Sequence, residues 1–317
     1  MREVGSQPLQ LLFQILIQFQ LEICDFPTHK ASKYLTHRRG SRRIRPHMKY
    51  LLFLLLPKEL LSRFLGWMEH WESPRPLIEW MKRWFVGRYK LNMAEAEKPL
   101  EEYRSLNDLF TRHLKPGLRP ILSGQVHPCD AVITQCGALD GLQLTQVKGW
   151  SYSASELVGE ELGKDFSKGS FATYYLCPTD YHRVHFPLSG NLVKVRHLVG
   201  KLWPVNEWSV QNVKNLFCLN ERLVFELRTT QGVMFLVMVG ATNVGHITTP
   251  FVPDLQTNLN GDRKSKDFSF ESPVTVNAGD EAGIFQMGST VILVCDESLS
   301  GRLKFEPGVT RMGQPIC

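Results

Sequence analysis

The sequence predicts an α+β protein that is mainly β, in which N-terminal amphipathic helices precede a compact domain resembling a β-sandwich or barrel. Two observations support this class. Between residues 51 and 88 the apolar residues recur at three- and four-residue spacing, which is typical of helices with one buried face. Beyond residue 120 they alternate with polar residues or form short runs between glycines, which is typical of strands. We therefore expect a leader over 1–47, a helical region over 48–120 and a β-rich domain over 121–317.

The leader carries most of the net charge of +6. Residues 1–47 hold eight Lys and Arg against three Asp and Glu, whereas residues 48–317 hold 29 against 28. A body with almost no net charge gives no support for nucleic-acid binding. The leader matches no clear targeting pattern. We therefore expect it to be non-native or disordered, without a folded role, and the physiological start to be Met48.

The helical region combines an apolar stripe with aromatic and basic side chains. A helix is predicted from Pro57 onward, and Lys82 and Arg83 lie among the tryptophans that follow. These tryptophans are Trp67, Trp71, Trp80 and Trp84. Such a stripe usually packs on a core of its own, but indole and basic side chains also suit the lipid headgroup zone. No segment reaches the roughly 20 apolar residues that span a bilayer, so we expect peripheral attachment.

Two later elements carry clear local signals. Ser105, with Asp108 three residues on, predicts a capping box and a short helix that serves as a connector. Residues 223–227 alternate apolar and polar, residues 229–232 suit a turn, and residues 233–239 form an apolar run. This pattern predicts a β-hairpin with a buried second strand.

A few polar residues could carry chemistry. Gly288-Ser289-Thr290 leads into an apolar run and, taken alone, is most simply a turn before a core strand. Asp130, His182 and His185 add an acid and two histidines, so that the chain holds the parts of an activated nucleophile. Structural roles for the histidines remain open, as does a zinc site built from both of them and Asp130. The latter lacks a third ligand with recognisable spacing.

Taken in order, the motifs of this chain resemble those of the phosphatidylserine decarboxylases, a family of self-cleaving, pyruvoyl-dependent enzymes. The resemblance covers about the last 270 residues. It rests on residues 55–63, 103–112, 114–120, 128–130, 147–152, 180–187, 204–206, 216–217, 220–222, 239–245 and 288–290. Each stretch alone is weak, but the ordered set is specific.

The resemblance implies a cut between Gly288 and Ser289, with Ser289 as the nucleophile that becomes the covalent pyruvoyl group. His185 is implied as the base and Asp130 as the residue that orients and charges it. His182 is placed near the substrate during decarboxylation, as an acid or an orienting group. No metal ion is expected.

The implied function is conversion of phosphatidylserine to phosphatidylethanolamine and carbon dioxide by a peripheral protein at the cytoplasmic face of the cell membrane. The implied partners are phosphatidylserine, an anionic membrane surface and the protein's own two chains, with a higher homo-oligomer left open. Two alternatives remain at this stage. One is a metal-dependent lipid hydrolase using His182, His185 and Asp130. The other is a non-catalytic membrane-binding β module. Both require an intact chain.

Overall fold

The computed structural model of the chain describes residues 70–147, 149–241, 246–255, 257, 264–286 and 290–316. Several sequence predictions therefore lie outside the described residues. These are the predictions for the leader, the helix from Pro57, Trp67, and the Gly288-Ser289 pair.

The first described helix, α1 (Arg75–Tyr89), packs on a helical core of its own. Pro76 lies in its first turn, where a missing N–H costs no helical hydrogen bond, and Lys90 ends it in the left-handed conformation (φ 54°). Its buried face meets a 3-10 turn (Leu100–Glu102) and helix α2 (Leu106–Phe110). The shared core consists of Leu77, Ile78, Met81, Phe85, Leu91, Tyr103, Leu106, Leu109 and Phe110, with Trp71, Trp80 and Trp84 packed against it. None of the described helices combines the length and apolar character needed to cross a bilayer.

The capping box predicted for α2 is formed in part. The Ser105 hydroxyl accepts a hydrogen bond from the N–H of Asp108 at 3.0 Å, which satisfies a backbone donor that the helix start leaves unpaired. The Asp108 carboxylate accepts from the N–H of Arg104, one residue before the N-cap, at 2.9 Å. Together the two bonds fix the residue at which this short helix begins.

The expectation that Lys82 meets lipid headgroups is wrong. Its side chain is fully buried, pairs with Glu79 at 2.7 Å and donates hydrogen bonds to the carbonyl oxygens of Leu100 and Tyr103. A buried ammonium is tolerated only when it is paired in this way. Lys82 therefore ties α1 to the segment that leads into α2.

Eight antiparallel strands form the main sheet. In spatial order they are β10 (Lys266–Val276), β6 (Gly190–Leu198), β7 (Arg222–Arg228), β8 (Val233–Val239), β12 (Thr290–Cys295), β4 (Ser170–Tyr175), β1 (Ala131–Ala138) and β13 (Gly308–Thr310). The expected α+β, mainly β class is confirmed. Among the described residues β10 and β13 form open edges, so the sheet does not close into a barrel.

The main sheet is buried on both faces, as strand β12 at its centre shows. Val291, Leu293 and Cys295 point into one apolar cluster, and Ile292 and Val294 point into the other. Successive side chains of a strand point to opposite faces, so the continuous apolar run in the sequence reflects two covered faces.

Different elements cover the two faces. A three-stranded sheet, β5 (Arg183–His185), β11 (Glu281–Phe285) and β9 (Ile247–Thr248), packs on the first cluster, which gives a sandwich-like layer. The second cluster is covered by the hairpin of β2 (Gln143–Val147) and β3 (Trp150–Ser153) with helices α3 (Ala154–Val158) and α5 (Leu216–Leu219). Helices α4 (Glu207–Asn212) and α6 (Glu297–Ser300) and a second 3-10 turn (Lys164–Phe166) complete the described elements.

The hairpin predicted over residues 223–239 is confirmed as β7 and β8. Its first strand differs in one respect from the alternating pattern, because β7 is buried along both faces up to its last residue. Val224 points into the second cluster, and the carboxylate of Glu226 pairs with Arg228 at 2.9 Å. The alternating apolar and polar residues of β7 therefore face two different environments, both of which are buried.

Candidate active site

Strand β5 places the two histidines at the edge of the three-stranded sheet. His182 precedes the strand, and its carbonyl oxygen accepts a hydrogen bond from the N–H of Phe285 at 3.0 Å. His185 ends the strand, and its N–H donates to the carbonyl oxygen of Pro128 at 2.8 Å. The backbone of β5 thus joins the end of β11, just before the predicted cut, to the segment that carries Asp130.

His185 is held as a neutral base. Its Nδ1 lies 2.8 Å from the carbonyl oxygen of Gly279, and a carbonyl oxygen only accepts, so Nδ1 carries the proton and Nε2 the lone pair. Nε2 is buried and has no hydrogen-bond partner within the described residues. The ring stacks on Tyr181 with centroids 5.7 Å apart, and burial lowers the pKa of the imidazole. This imidazole is therefore suited to accept a proton at Nε2.

The same reasoning applies to His182. Its Nδ1 lies 2.8 Å from the carbonyl oxygen of Asp180, which again leaves an unprotonated and unpartnered Nε2 among the described residues. Its ring lies 3.9 Å from that of Phe110, centroid to centroid. Burial lowers the pKa of His182 to about 3. At neutral pH this imidazole can accept a hydrogen bond at Nε2 but has no proton there to give.

Asp130 is buried and ionised. Both of its carboxylate oxygens accept hydrogen bonds from Arg119, at 2.9 and 2.6 Å, and further bonds come from Arg311 and the N–H of Met312, each at 2.9 Å. Burial acts to raise the pKa of this carboxyl, but the hydrogen bonds outweigh it and the pKa lies below its usual value.

Asp130 does not orient His185 through a direct hydrogen bond. Among the described residues the Nδ1 partner of His185 is Gly279, and the Asp130 oxygens are occupied by Arg119, Arg311 and Met312. Asp130 is still close enough that its charge acts to raise the pKa of His185. Its influence on the base is therefore electrostatic in this structure.

Hydrogen bonds hold the backbone on both sides of the predicted cut. The N–H of Gln286 donates to the carbonyl oxygen of His246 at 3.0 Å. Its side-chain amide accepts from Asn107 at 2.8 Å and donates to Thr248 at 3.0 Å. On the other side, Thr290 begins β12 opposite Tyr175 of β4.

The short helix α2, predicted to be only a connector, contributes side chains to the candidate site. Phe110 packs on His182, and Asn107 binds Gln286. Arg112 is buried and donates to the carbonyl oxygens of Thr179 and Asp180 at 2.9 and 3.3 Å. An asparagine and an arginine beside the apolar positions of a short helix were the available signal, but their partners lie far away in the sequence.

A cavity of about 660 Å³ lies beside the start of β12. Its lining includes Thr290, Tyr175, Thr179, Asp180 and Arg311. This volume is within the range of small-molecule sites. The cavity therefore gives a polar ligand group access to the residue that follows Ser289.

The residues do not support the metal-site alternative. No group of three His, Cys, Asp or Glu side chains that could hold a metal ion occurs in the part of the chain that the structure describes. The Asp130 oxygens are bound to two guanidinium groups, and each histidine uses Nδ1 on a carbonyl oxygen.

Comparison with known proteins gives one consistent result. The sequence profile described as phosphatidylserine decarboxylase matches residues 106–317. The phosphatidylserine decarboxylase proenzyme of Anaeromyxobacter sp. (strain K) is 42% identical over 270 residues, covering 83% of this chain and 95% of that protein. The proenzyme of Shewanella sediminis (strain HAW-EB3) is 39% identical over 281 residues, covering 85% and 98%. That of Myxococcus xanthus (strain DK1622) is 40% identical over 276 residues, covering 84% and 96%.

Proposed function

This chain belongs to the phosphatidylserine decarboxylase family and is therefore an enzyme, and from that premise we propose that it builds its own pyruvoyl group by cutting itself between Gly288 and Ser289. The mature enzyme then converts phosphatidylserine to phosphatidylethanolamine and carbon dioxide. Family membership gives no support to the metal-dependent hydrolase or to the non-catalytic β module.

The observation that carries the proposal is the neutral imidazole of His185, with an unpartnered Nε2 on the strand bound to β11. In the proposed reaction this nitrogen takes the hydroxyl proton of Ser289, whose oxygen attacks the carbonyl carbon of Gly288. The C–N bond breaks as the proton held by His185 passes to the departing nitrogen of Ser289, and an ester joins the two residues. Loss of the Ser289 Cα proton then expels the Gly288 carboxylate, and water replaces the resulting enamine nitrogen, releasing ammonia.

The residues present fit a pyruvoyl group at the start of β12. The cavity beside Thr290 gives a substrate headgroup access, and three buried polar atoms on the flanking elements have no partner among the described residues: His182 Nε2, His185 Nε2 and Thr290 Oγ1. The group would supply a carbonyl for the substrate amine and an electron sink for the pair that is left when carbon dioxide departs. His182 is proposed to orient the substrate by accepting a hydrogen bond at Nε2.

Asp130 has two proposed roles. Its charge favours the protonated form of His185 while that residue holds the serine proton. Its bonds to Arg311 and Met312 also join the large chain to the small chain, which would run from Ser289 to Cys317.

Removal of the serine hydroxyl tests this function. We expect the wild-type protein to run as two chains on a denaturing gel and Ser289→Ala to run as one chain without decarboxylase activity. Ser300→Ala, a serine change elsewhere in the small chain, is the control and should cut normally. A mature small chain that begins with an unmodified serine in mass spectrometry would refute the pyruvoyl assignment, and decarboxylation by an uncut chain would refute self-processing.

We also propose peripheral attachment to an anionic membrane surface at its cytoplasmic face, through the outer side of α1. Arg75, Arg83, Arg88 and Lys90 are exposed there, while Trp80 and Trp84 are only partly buried. Basic side chains near an anionic bilayer are each worth about 1 kcal/mol. The double change Arg83→Glu with Arg88→Glu should reduce co-sedimentation with phosphatidylserine vesicles, whereas Arg302→Glu with Lys304→Glu serves as the charge-matched control. An equal loss of co-sedimentation in both double variants would show that α1 does not make the membrane contact.

A further inference from the structure

We infer that Asp180 is the acid that returns a proton to the substrate carbon after carbon dioxide has left, a role that rests on the proposed function. The decarboxylation removes a carboxylate and leaves an electron pair on carbon, so a proton donor must stand at the substrate site. The histidine expected near the substrate does not meet that need. With Nδ1 bound to a carbonyl oxygen and a pKa of about 3, His182 has no proton at Nε2 at neutral pH.

Asp180 stands where such a donor is required. It lines the same cavity as Thr290, the residue that follows Ser289. One carboxyl oxygen, Oδ2, accepts a hydrogen bond from the N–H of Cys177 at 2.7 Å. The other, Oδ1, has no hydrogen-bond partner among the described residues, so it is available to carry a proton toward the cavity. The backbone carbonyl of Asp180 also holds His182, which places the proposed donor and the orienting residue on one short segment.

The surroundings of Asp180 favour its protonated form near neutral pH. Burial raises its pKa to about 7, and the charge of Asp130 adds to that effect. Arg311 and Arg112 oppose it, as does the hydrogen bond from Cys177. Among the described residues, Glu207 on α4 is the other acidic residue that lines this cavity. The neighbouring thiols of Cys129 and Cys177 stay neutral because burial raises their pKa.

The bond between the α-carbon and the carboxylate carbon breaks. Carbon dioxide leaves, and the electron pair of that bond stays with the α-carbon. That pair forms a new C–H bond with the proton of Asp180, which becomes a carboxylate. Solvent then returns one proton to Asp180, so that each turnover consumes one proton in total. A donor with a pKa near the working pH suits this cycle, because it gives its proton and regains it at comparable cost.

The substitution Asp180→Asn tests this role because asparagine retains an oxygen acceptor for Cys177 and lacks the acidic proton. We expect Asp180→Asn to self-cleave and yet to lose at least about 100-fold in kcat, within the usual contribution of a positioned acid. In the wild type kcat should fall as pH rises through about 7, and this dependence should be absent in the residual activity of Asp180→Asn. Asp180→Glu should restore part of kcat together with the pH dependence.

Asp280→Asn is a matched control, since exposed Asp280 accepts a hydrogen bond from the N–H of Asn277 at 2.7 Å in an equivalent turn. It should keep the wild-type pH profile. A second readout needs no turnover. Difference infrared spectra of Ser289→Ala against Ser289→Ala with Asp180→Asn should show one protonated carboxyl that titrates near pH 7.

The outcomes separate the two proposals. If Asp180→Asn keeps the wild-type kcat and pH profile, or no carboxyl of the uncut protein titrates near neutral pH, the role of Asp180 is refuted while the proposed function stands. If wild-type protein neither cuts itself nor decarboxylates phosphatidylserine, the proposed function fails and the acid has no reaction to serve, whatever the infrared titration shows.

Discussion

Backbone carbonyl oxygens determine the protonation of both histidines of the candidate site. Gly279 and Asp180 each accept from an Nδ1–H, so each imidazole presents a bare Nε2. The difference between the two residues therefore lies in their position. His185 is bound through its backbone to the segment that carries Asp130, and His182 is bound to the strand that precedes Gly288.

This difference predicts separate phenotypes. His185→Ala should block self-cleavage, because the Ser289 hydroxyl loses the base that takes its proton. A positioned base is worth about 100- to 10,000-fold in rate. His182→Ala should cut at least partly and decarboxylate poorly. Denaturing gels followed over time, with release of carbon dioxide measured on the cut fraction, report both steps. Swapped phenotypes would exchange the roles of the two histidines and leave the fold unaffected.

Burial of His182 also predicts acid sensitivity. The unfolded chain protonates this imidazole below its ordinary pKa of 6.5, whereas the folded protein resists protonation until about pH 3. The stability that the neutral ring contributes is therefore lost as pH falls through that window, by at most about 1.4 kcal/mol per pH unit. Asp180, whose pKa is raised to about 7, acts with the opposite sign in the same window, so the test is a comparison of two proteins. Uncut Ser289→Ala should lose more stability in urea unfolding as pH falls from 6.5 toward 4 than the same protein with the added change His182→Gln. If stability falls equally steeply with pH in both proteins, water reaches the imidazole of His182 and burial does not lower its pKa.

Among the elements, the α2 connector has the largest unexpected role. Asn107 and Gln286 are 179 residues apart, yet their side chains meet at 2.8 Å. Thr248 binds the other end of the Gln286 amide. The residue two positions before Gly288 is thus held from both sides, once by the helical region and once by β9.

Loss of this clamp should slow self-cleavage without preventing it. A single hydrogen bond contributes about 0.5–1.5 kcal/mol, so Asn107→Ala should lengthen the half-time of processing by up to about tenfold. Pulse-labelled protein sampled on denaturing gels gives that half-time. Asn212→Ala, which removes an exposed side-chain amide bound within α4, is the control. Identical half-times for the two variants would show that Gln286 needs no support from the helical region.

These elements also show how far sequence can predict this molecule. Three features were predictable because each signal lies within a few residues of the structure it specifies. They are the helix N-cap at Ser105, the hairpin of β7 and β8, and the buried strand that begins at residue 290. The burial of Lys82 was not predictable, since its carbonyl partners are 18 and 21 residues away. Asp130 could be identified as a candidate, but Arg311, one of its partners, lies 181 residues further on.

At the scale of the whole molecule, the sheet order determines what self-cleavage does to the fold. The proposed small chain supplies β12, which pairs with β8 and β4 at the centre of the main sheet, and β13, which pairs with β1. All six residues of β12 are buried. A cut between Gly288 and Ser289 would therefore divide the chain without removing any strand from its place.

The two chains should consequently remain associated after the cut. Burial of a Val, Leu or Ile side chain is worth about 1.5–3 kcal/mol, so four consecutive apolar residues of β12 contribute roughly 6–12 kcal/mol before the entropic cost of association. Asp130 adds hydrogen bonds from Arg311 and Met312 across the same interface. Cut wild-type protein at nanomolar concentration should elute from a sizing column as one species that separates only in denaturant. Arg311→Gln should lower the urea concentration at which the chains part, because Asp130 then loses the one of its two guanidinium partners that lies across the interface. A small chain that elutes alone from native wild-type protein would show that the central strand is released on cleavage, contrary to the packing described above.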